Sequence, residues 1–357
     1  MKKKIAIIGT AGLPATYGGF ETLANYLTVN LSTTYEFTVF CPKTPKQERL
    51  NIINGAHLIY LPFQANGFQS IIYDTIAIVR SLSFADSLLI LGSPGTLILP
   101  LIKLLRKKVI LNFGGLEWKR DKWPFIVRKY LKLTERIGIK FADTVIVDNR
   151  EFKKYIEKEY KKDSVLIEYG GDHVSKLKPG KAMVAKYNFL DREYFVSVSR
   201  AQTDNNLHMV LEAFADMPDK LLVLISNWNK FEYGINLKKK YGHLPNLFLL
   251  DAIYDLNELD LIRSNAKGYI HSHSFCGTAP SLVEAMNLGL PIISYSAETN
   301  LSTTEWQAEY FSNSQELKEV IQNLSDDALS QIGLKMKEIA KRRYTWKVVS
   351  EKYALCF

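Results

Sequence analysis

The chain has 357 residues, 47% hydrophobic and 23% charged, with a formal net charge of +9; this excludes a disordered or low-complexity chain and favours two domains over a single core. The charge is uneven: residues 1–170 hold 25 Lys+Arg against 15 Asp+Glu, and residues 171–357 hold 21 against 22, so the first half is the one expected to meet an anionic surface or ligand. Cys41, Cys276 and Cys356 are odd in number and far apart, which argues against a disulfide framework and for a reducing compartment, the cytoplasm being the simplest.

The opening MKKKIAIIGT has the charge order of a secretory signal, but its apolar core is short and runs into a glycine turn, so a first strand, Lys4–Ile8, is predicted. No later run reaches the roughly 18 uninterrupted apolar residues of a membrane span; Ser87–Leu105 is broken by glycine, proline and lysine. After the first strand comes the loop GTAGLPATYGGFE (Gly9–Glu21), then a helix patterned by Leu23, Leu27 and Leu31. The loop fits neither G-x-G-x-x-G nor the P-loop. Gly18 and Gly19 at a helix start nonetheless permit close approach of a ligand, with Tyr17 beside them, and the competing reading is a plain strand-to-helix turn.

Further strands are predicted at Phe37–Phe40, His57–Leu61, Ser87–Leu91, Lys108–Asn112, Thr144–Val147 and Val165–Tyr169, with helical patterns between them, the signature of βαβ units around a parallel sheet. The block NFGGLEWKRDKW (Asn112–Trp123) sets Glu117, Trp118, Lys119 and Arg120 after a glycine pair. Aromatic and charged side chains so mixed suit sugar recognition by stacking and hydrogen bonding; the alternative is a surface loop whose tryptophans serve the core. The next segment, Phe125–Phe141, interleaves Lys and Arg with Phe125, Ile126, Tyr130 and Leu133, a pattern for an anionic membrane face or for a helix packed on its own domain.

The tract Gly170–Lys186, with two glycines, a proline and several lysines, marks the domain boundary, giving an N-terminal domain 1–172, a second domain 173–338 and a terminal helix 339–357 able to cross back. Strands in the second half are predicted at Tyr194–Ser199, Lys220–Ile225, Leu247–Leu250, Gly268–His271 and Pro291–Ser294. Arg200 ends the first of these and Asp204–Asn206 leads into a helix. A strand's carboxyl end is where open α/β sheets hold ligands, and arginine there can grip a diphosphate, or it can simply cap a helix. In HSHSFCGTAPSLVEAM (His271–Met286) the backbone N–H groups of Gly277, Thr278 and Ala279 precede a helix, an anion site by virtue of the helix dipole. Glu284, one turn further in, is set for a hydroxyl rather than a phosphate. His271, His273 and Cys276 invite a metal reading, but no fourth ligand is evident, and His271 is preferred as a strand-end residue facing a cleft. No metal and no cofactor are expected. No nucleic-acid motif appears, so nucleic acid is not an expected partner.

GLPATYGGFETLA, LEWKRDKW, EYGGD, SRAQTDNNLHMVLEAF and HSHSFCGTAPSLVEAM, in this order along nearly the whole chain, resemble GT-B glycosyltransferases of family 4, and among them the bacterial rhamnosyltransferase-type branch that builds surface polysaccharides. The resemblance implies an α/β fold of two Rossmann-like doubly wound domains facing a cleft, and metal-independent, anomer-retaining transfer of a sugar such as rhamnose from dTDP-rhamnose to a lipid-linked saccharide, by a cytoplasmic enzyme peripheral on the membrane. It implies that Glu284 binds the nucleotide ribose, that Arg200 and the Gly277–Ala279 amides bind the donor diphosphate, that Asn205 is among the donor-binding residues, and that Gly18 and Gly19 serve the donor phosphate or the acceptor side. Tyr17, Trp118, Lys119 and Arg120 then lie on the acceptor side, with Glu117, Arg200 and His271 as the catalytic set. Three positions depart from the wider pattern: Cys276 stands where a glutamate is common, a lysine near Asn205 is missing, and Gly114 replaces an expected aspartate. A transferase of another hexose from a UDP- or GDP-sugar, a GT-B epimerase or phosphorylase, and a non-catalytic sugar-binding relative are the alternatives.

Overall fold

The structure, a computed structural model, describes residues 1–15, 18–120 and 123–357. Two compact units emerge, one formed by Met1–Glu168 with Trp346–Phe357 and the other by Tyr169–Thr345. The first carries strands β1 (Lys3–Ile8), β2 (Tyr35–Cys41), β3 (Ile52–Ile53), β4 (Ala56–Tyr60), β5 (Ser87–Leu91), β6 (Lys108–Phe113), β7 (Thr144–Val147) and β8 (Val165–Leu166) in the order β3-β4-β2-β1-β5-β6-β7-β8. All neighbours are parallel except β3 with β4. That hairpin turns on Asn54-Gly55, both at positive φ, the Asn-Gly turn whose twist matches paired strands.

The second unit carries β9 (Phe195–Val198), β10 (Leu222–Ser226), β11 (Leu247–Asp251), β12 (Gly268–His271), β13 (Ile292–Tyr295) and β14 (Glu309–Phe311), all parallel, in the order β11-β10-β9-β12-β13-β14. Its strands are mostly apolar because both faces are covered: Val196, Val223, Ile225 and Ile292 enter one core cluster, while Phe195, Leu222, Leu224, Ile270 and Ile293 enter the other. In each unit the strand order reverses beside the first strand, between β1 and β5 and between β9 and β12. Those reversals are where doubly wound sheets open a crevice at the strands' carboxyl ends.

The glycine-rich tract after β8 belongs to the second unit. A side chain at Gly171 would meet the Val283 backbone at 2.7 Å, so glycine is needed for the tract to lie against helix Pro280–Asn287. Helix Asp326–Arg343 stays in the second unit as well, held close by Gly333, where a Cβ would meet the Gly289 carbonyl at 2.6 Å. Only helix Trp346–Cys356 returns to the first unit. There Trp346 stacks on Tyr26 with centroids 4.5 Å apart, Lys352 pairs with Glu168 at 2.7 Å, and Asn112 hydrogen-bonds Tyr353. No helix among the described residues is long and apolar enough to cross a membrane.

Candidate active site

In the second unit the loops after β9 and β12 leave adjacent strands, and short polar side chains join them. Ser274 donates both its backbone N–H and its hydroxyl to Asp204 O at 2.9 Å. Asn206 Nδ2 donates to Ser272 O at 3.0 Å, and Ser272 Oγ to Asn205 O at 2.5 Å. Asn206 sits at φ 49°, a left-handed turn that asparagine tolerates better than most residues. Asn205, expected to bind the donor, is buried and spends its amide on Arg200 O at 2.8 Å; it shapes the loop from inside. Arg200 itself is exposed, and among the described residues its guanidinium has no ion-pair partner.

Helix Pro280–Asn287 begins with Ala279 as N-cap and no side-chain cap, so the first-turn N–H groups expected to meet an anion are not taken by a capping side chain. Gly277 is half-buried, and Thr278 and Ala279 are buried. Tyr269, on β12, donates to Val198 O at 3.2 Å and so ties the carboxyl ends of the two strands together.

Glu284 is set in a polar cluster that the sequence did not disclose. One carboxylate oxygen pairs with Arg263 Nη1 and the other lies 3.3 Å from His173 Nε2. Arg263, 1% exposed, also binds Asp260 at 2.6 Å, and Asp260 accepts from Ser175 N–H at 2.8 Å. Burial pushes the Glu284 carboxyl up, and Arg263 and His173 outweigh it, holding the group below the ordinary carboxylate range. The expected free acceptor is therefore an oriented anion, with lone pairs left for a hydroxyl.

His271 requires a correction. Expected to face a cleft, it is 1% exposed, and its Nδ1 has no hydrogen-bond partner among the described residues. The His273 ring lies 4.2 Å away, and Cys276 Sγ is 4.0 Å from its Nε2. Burial pushes its pKa down to about 3, so the imidazole is neutral at physiological pH. His273 is half-buried, its Nε2 2.8 Å from Ser199 Oγ, and it is the imidazole nearer the surface. Ligand atoms of His271, His273 and Cys276 all lie within 4.8 Å of one another; the donor set is one a thiophilic ion accepts, with a position left open.

In the first unit the glycine loop is fastened by its own helix. Glu21, in the first turn of helix Gly19–Leu31, accepts from Ala11 N–H at 2.6 Å and Thr10 Oγ1 at 3.2 Å. Gly18 lies at φ 126°, and a Cβ there would sit 1.9 Å from Glu21 Oε2. A carboxylate thus occupies the helix mouth where a donor phosphate was one of two expectations, and its charge favours a hydroxyl-bearing ligand at Gly18 and Gly19. Tyr17 lies outside the described residues.

Gly114 is packed beside Phe20 and Gly92: a Cβ at 114 would lie 3.0 Å from Phe20 Cζ and 3.7 Å from Gly92 Cα, so a larger residue there needs the Phe20 ring to shift. Glu117, expected to be catalytic, is braced within its own loop, pairing with Arg120 at 2.9 Å and accepting from Trp123 Nε1 at 3.2 Å. Trp118 is half-buried, with Lys119 and Lys132 over its ring at 5.4 and 4.6 Å. Lys119 is exposed. Two cations already lie over the ring expected to stack a sugar, so this block is more a folded brace than an open platform.

Two protein families match the chain. Residues 2–172 match a domain of unknown function, DUF1972, and residues 181–343 match glycosyl transferases group 1. No curated protein matches in sequence. Among solved structures, the sucrose-phosphate synthase of Thermosynechococcus elongatus is similar with a TM-score of 0.80 at 16% identity, over 99% of this chain and 98% of that one. Anabaena HepE in complex with UDP and glucose is similar with a TM-score of 0.75 at 14% identity, over 99% and 98%. A glycosyltransferase from Rickettsia africae gives 0.75 at 14%, over 99% and 97%. The likeness is one of fold: two Rossmann-like α/β units with parallel sheets, as in GT-B glycosyltransferases. Residues 181–343, a little under half of the chain, are thus similar to glycosyl transferases group 1, on a fold that the solved structures share over nearly all of it.

Proposed function

We propose that the chain transfers a sugar from a nucleotide sugar to a lipid-linked saccharide, with rhamnose from dTDP-rhamnose as the donor. The observation that carries this reading is the junction of the Ser199–Asn206 and Ser272–Ala279 loops at the β9/β12 reversal, with exposed Arg200 on one loop and an uncapped helix start on the other. In this reading the guanidinium and the Gly277–Ala279 amides stabilise the charge that grows on the leaving diphosphate, while Glu284, oriented by Arg263 and His173, accepts from the nucleotide ribose. The acceptor side falls to the first unit, where Glu21 and the Gly18–Gly19 turn suit a hydroxyl. The basic first half of the chain supports a lipid-linked acceptor at the inner membrane face.

HepE, whose structures hold UDP with glucose and UDP-glucose, favours a second donor reading, a hexose from a UDP-sugar. Incubating the protein with dTDP-rhamnose, UDP-glucose, UDP-galactose and GDP-mannose against a GlcNAc-diphospholipid separates the two. Transfer of rhamnose with retention at the anomeric carbon, unchanged by chelators, is expected. No transfer from any donor, together with no nucleotide binding by calorimetry, rejects the proposal; activity lost on chelation and restored by zinc reassigns His271, His273 and Cys276 as a metal site.

A further inference from the structure

Helix Phe125–Phe141 turns an unusual face to solvent. Ile126, Lys129, Leu133, Arg136 and Lys140 are all exposed and recur at three- and four-residue spacing, so they form one stripe. Phe125 is 68% exposed and Ile126 80%. The segment packed beside this helix, through Thr96 Oγ1 to Thr134 O at 2.6 Å and Tyr130 to Pro94 O at 2.7 Å, adds exposed Leu97, Leu101 and Leu104. Exposed apolar side chains gathered on neighbouring segments in this way mark an interaction site.

Beside the stripe lies a groove of about 880 Å³ between that helix and the end of helix Arg150–Tyr160. Six cations line it against one surface carboxylate, Glu159. Hydrogen bonds hold the residues around it: buried Glu135 accepts from Tyr155 at 2.6 Å, Tyr160 at 2.5 Å and Lys132 at 3.1 Å, and Lys162 donates to the Ile139 and Ala142 carbonyls. Lys132 and Lys162 are thereby used internally. Lys129, Arg136, Lys140 and Lys161 have no ion-pair partner among the described residues.

We propose that this face is a docking surface for a bilayer carrying anionic phospholipid. Phe125, Ile126 and Leu133 enter the boundary between headgroups and acyl chains, while Arg136, Lys140 and Lys161 take headgroup phosphates in the groove. The interleaving on one helix is what an interfacial helix needs: apolar side chains for insertion, and long cationic ones that keep their heads at phosphate level. The inference rests on the lipid-linked acceptor reading and deepens it by naming the surface through which the protein meets the lipid phase.

The full-length protein would be sedimented with vesicles of phosphatidylcholine alone and of phosphatidylcholine mixed with phosphatidylglycerol. Binding to the anionic vesicles is expected to be about tenfold tighter or more and to fall with salt. Arg136→Glu with Lys140→Glu removes that advantage; Ile126→Ser with Leu133→Ser keeps association at low salt and loses it at high salt. Circular dichroism checks folding, and Arg136→Gln with Lys140→Gln replaces the reversal if it unfolds. Equal binding to both vesicle types, unchanged binding by the charge variants, or binding to single-stranded RNA with none to vesicles overturns the proposal. Nucleotide binding, measured by calorimetry on the same proteins, separates the two readings: vesicle failure with nucleotide binding intact strikes the docking surface alone.

Discussion

Glu284 orders the second unit through Arg263, and the proposed function gives it a further task, receiving the nucleotide, that substitution can separate from the first. Glu284→Gln leaves Arg263, 1% exposed, with Asp260 as its remaining carboxylate. Breaking a buried ion pair from one side costs roughly 3–5 kcal/mol because a charge is left under-compensated; Asp260 stays in place, so about 3 kcal/mol is expected. A ligand hydroxyl bonded to the carboxylate adds roughly 1.5–3 kcal/mol to nucleotide binding, so Glu284→Gln should also weaken affinity by about tenfold or more. Arg263→Met removes the cation but leaves the carboxylate, so stability should fall comparably while nucleotide affinity falls far less. The pH dependence supplies a check. Arg263 and His173 hold the folded carboxyl below the ordinary glutamate range, so the native state binds fewer protons than the unfolded one. Its contribution is present above the unfolded glutamate range and is lost as pH falls through the folded pKa; the gap between wild type and Glu284→Gln should therefore narrow on acidification. Urea unfolding at several pH values gives the stability arm and calorimetric titration with dTDP and UDP gives the binding arm. Equal losses of nucleotide affinity in both variants would refute a direct role for Glu284, and an undiminished stability of Glu284→Gln would refute the ion-pair argument.

Gly18→Ala places a methyl 1.9 Å from Glu21 Oε2 at φ 126°; with about 1–3 kcal/mol of backbone strain and a displaced carboxylate, a loss of at least about 2 kcal/mol is expected in thermal or urea unfolding. Asp74, 3% exposed with Oδ1 unpartnered among the described residues, is pushed up to about 8 by burial. The native state there binds more protons than the unfolded one, so stability falls as pH rises from about 4 to about 8. Asp74→Asn removes that dependence, and its advantage should grow by about 1.4 kcal/mol per pH unit in urea midpoints across this window. His271→Asn should leave the shape of the pH–activity profile between about pH 5 and pH 8 unchanged, since an imidazole titrating near 3 is neutral throughout; a displaced limb would show that His271 ionises in turnover.

The sequence was most legible where one residue type has one physical use. Apolar runs such as Ile5–Ile8 and Leu222–Ile225 announce strands covered on both faces, and the Gly277–Ala279 turn before an apolar helix announces a strand-to-helix loop. It was least legible where pairing is set in three dimensions. Arg263 reads as the end of an amphipathic helix and His173 as part of a linker, yet both converge on Glu284; nothing in their spacing along the chain encodes that. Glu117 and Trp118 look available in sequence because Arg120, Trp123 and Lys132 do not declare that they cover them. His271 looked open because a strand's last residue normally reaches the crevice, but here His273 and Cys276 follow it back over the strand end. Strands β3 and β14, two and three residues long, are too short to carry a period.

The return of helix Trp346–Cys356 to the first unit has a bearing on the order of events during synthesis. The surface around Tyr26, Asn30 and Asn112 is made early, but the residues that cover it are translated only after the whole of the second unit. The second unit is continuous and can close as soon as it leaves the ribosome, whereas the first must wait with its partners missing and a long loop still to be closed. A nascent chain stalled before Trp346 should therefore expose the first unit selectively to protease and to chaperones, and tethering Trp346–Phe357 elsewhere would leave a formed second unit beside an unfinished first.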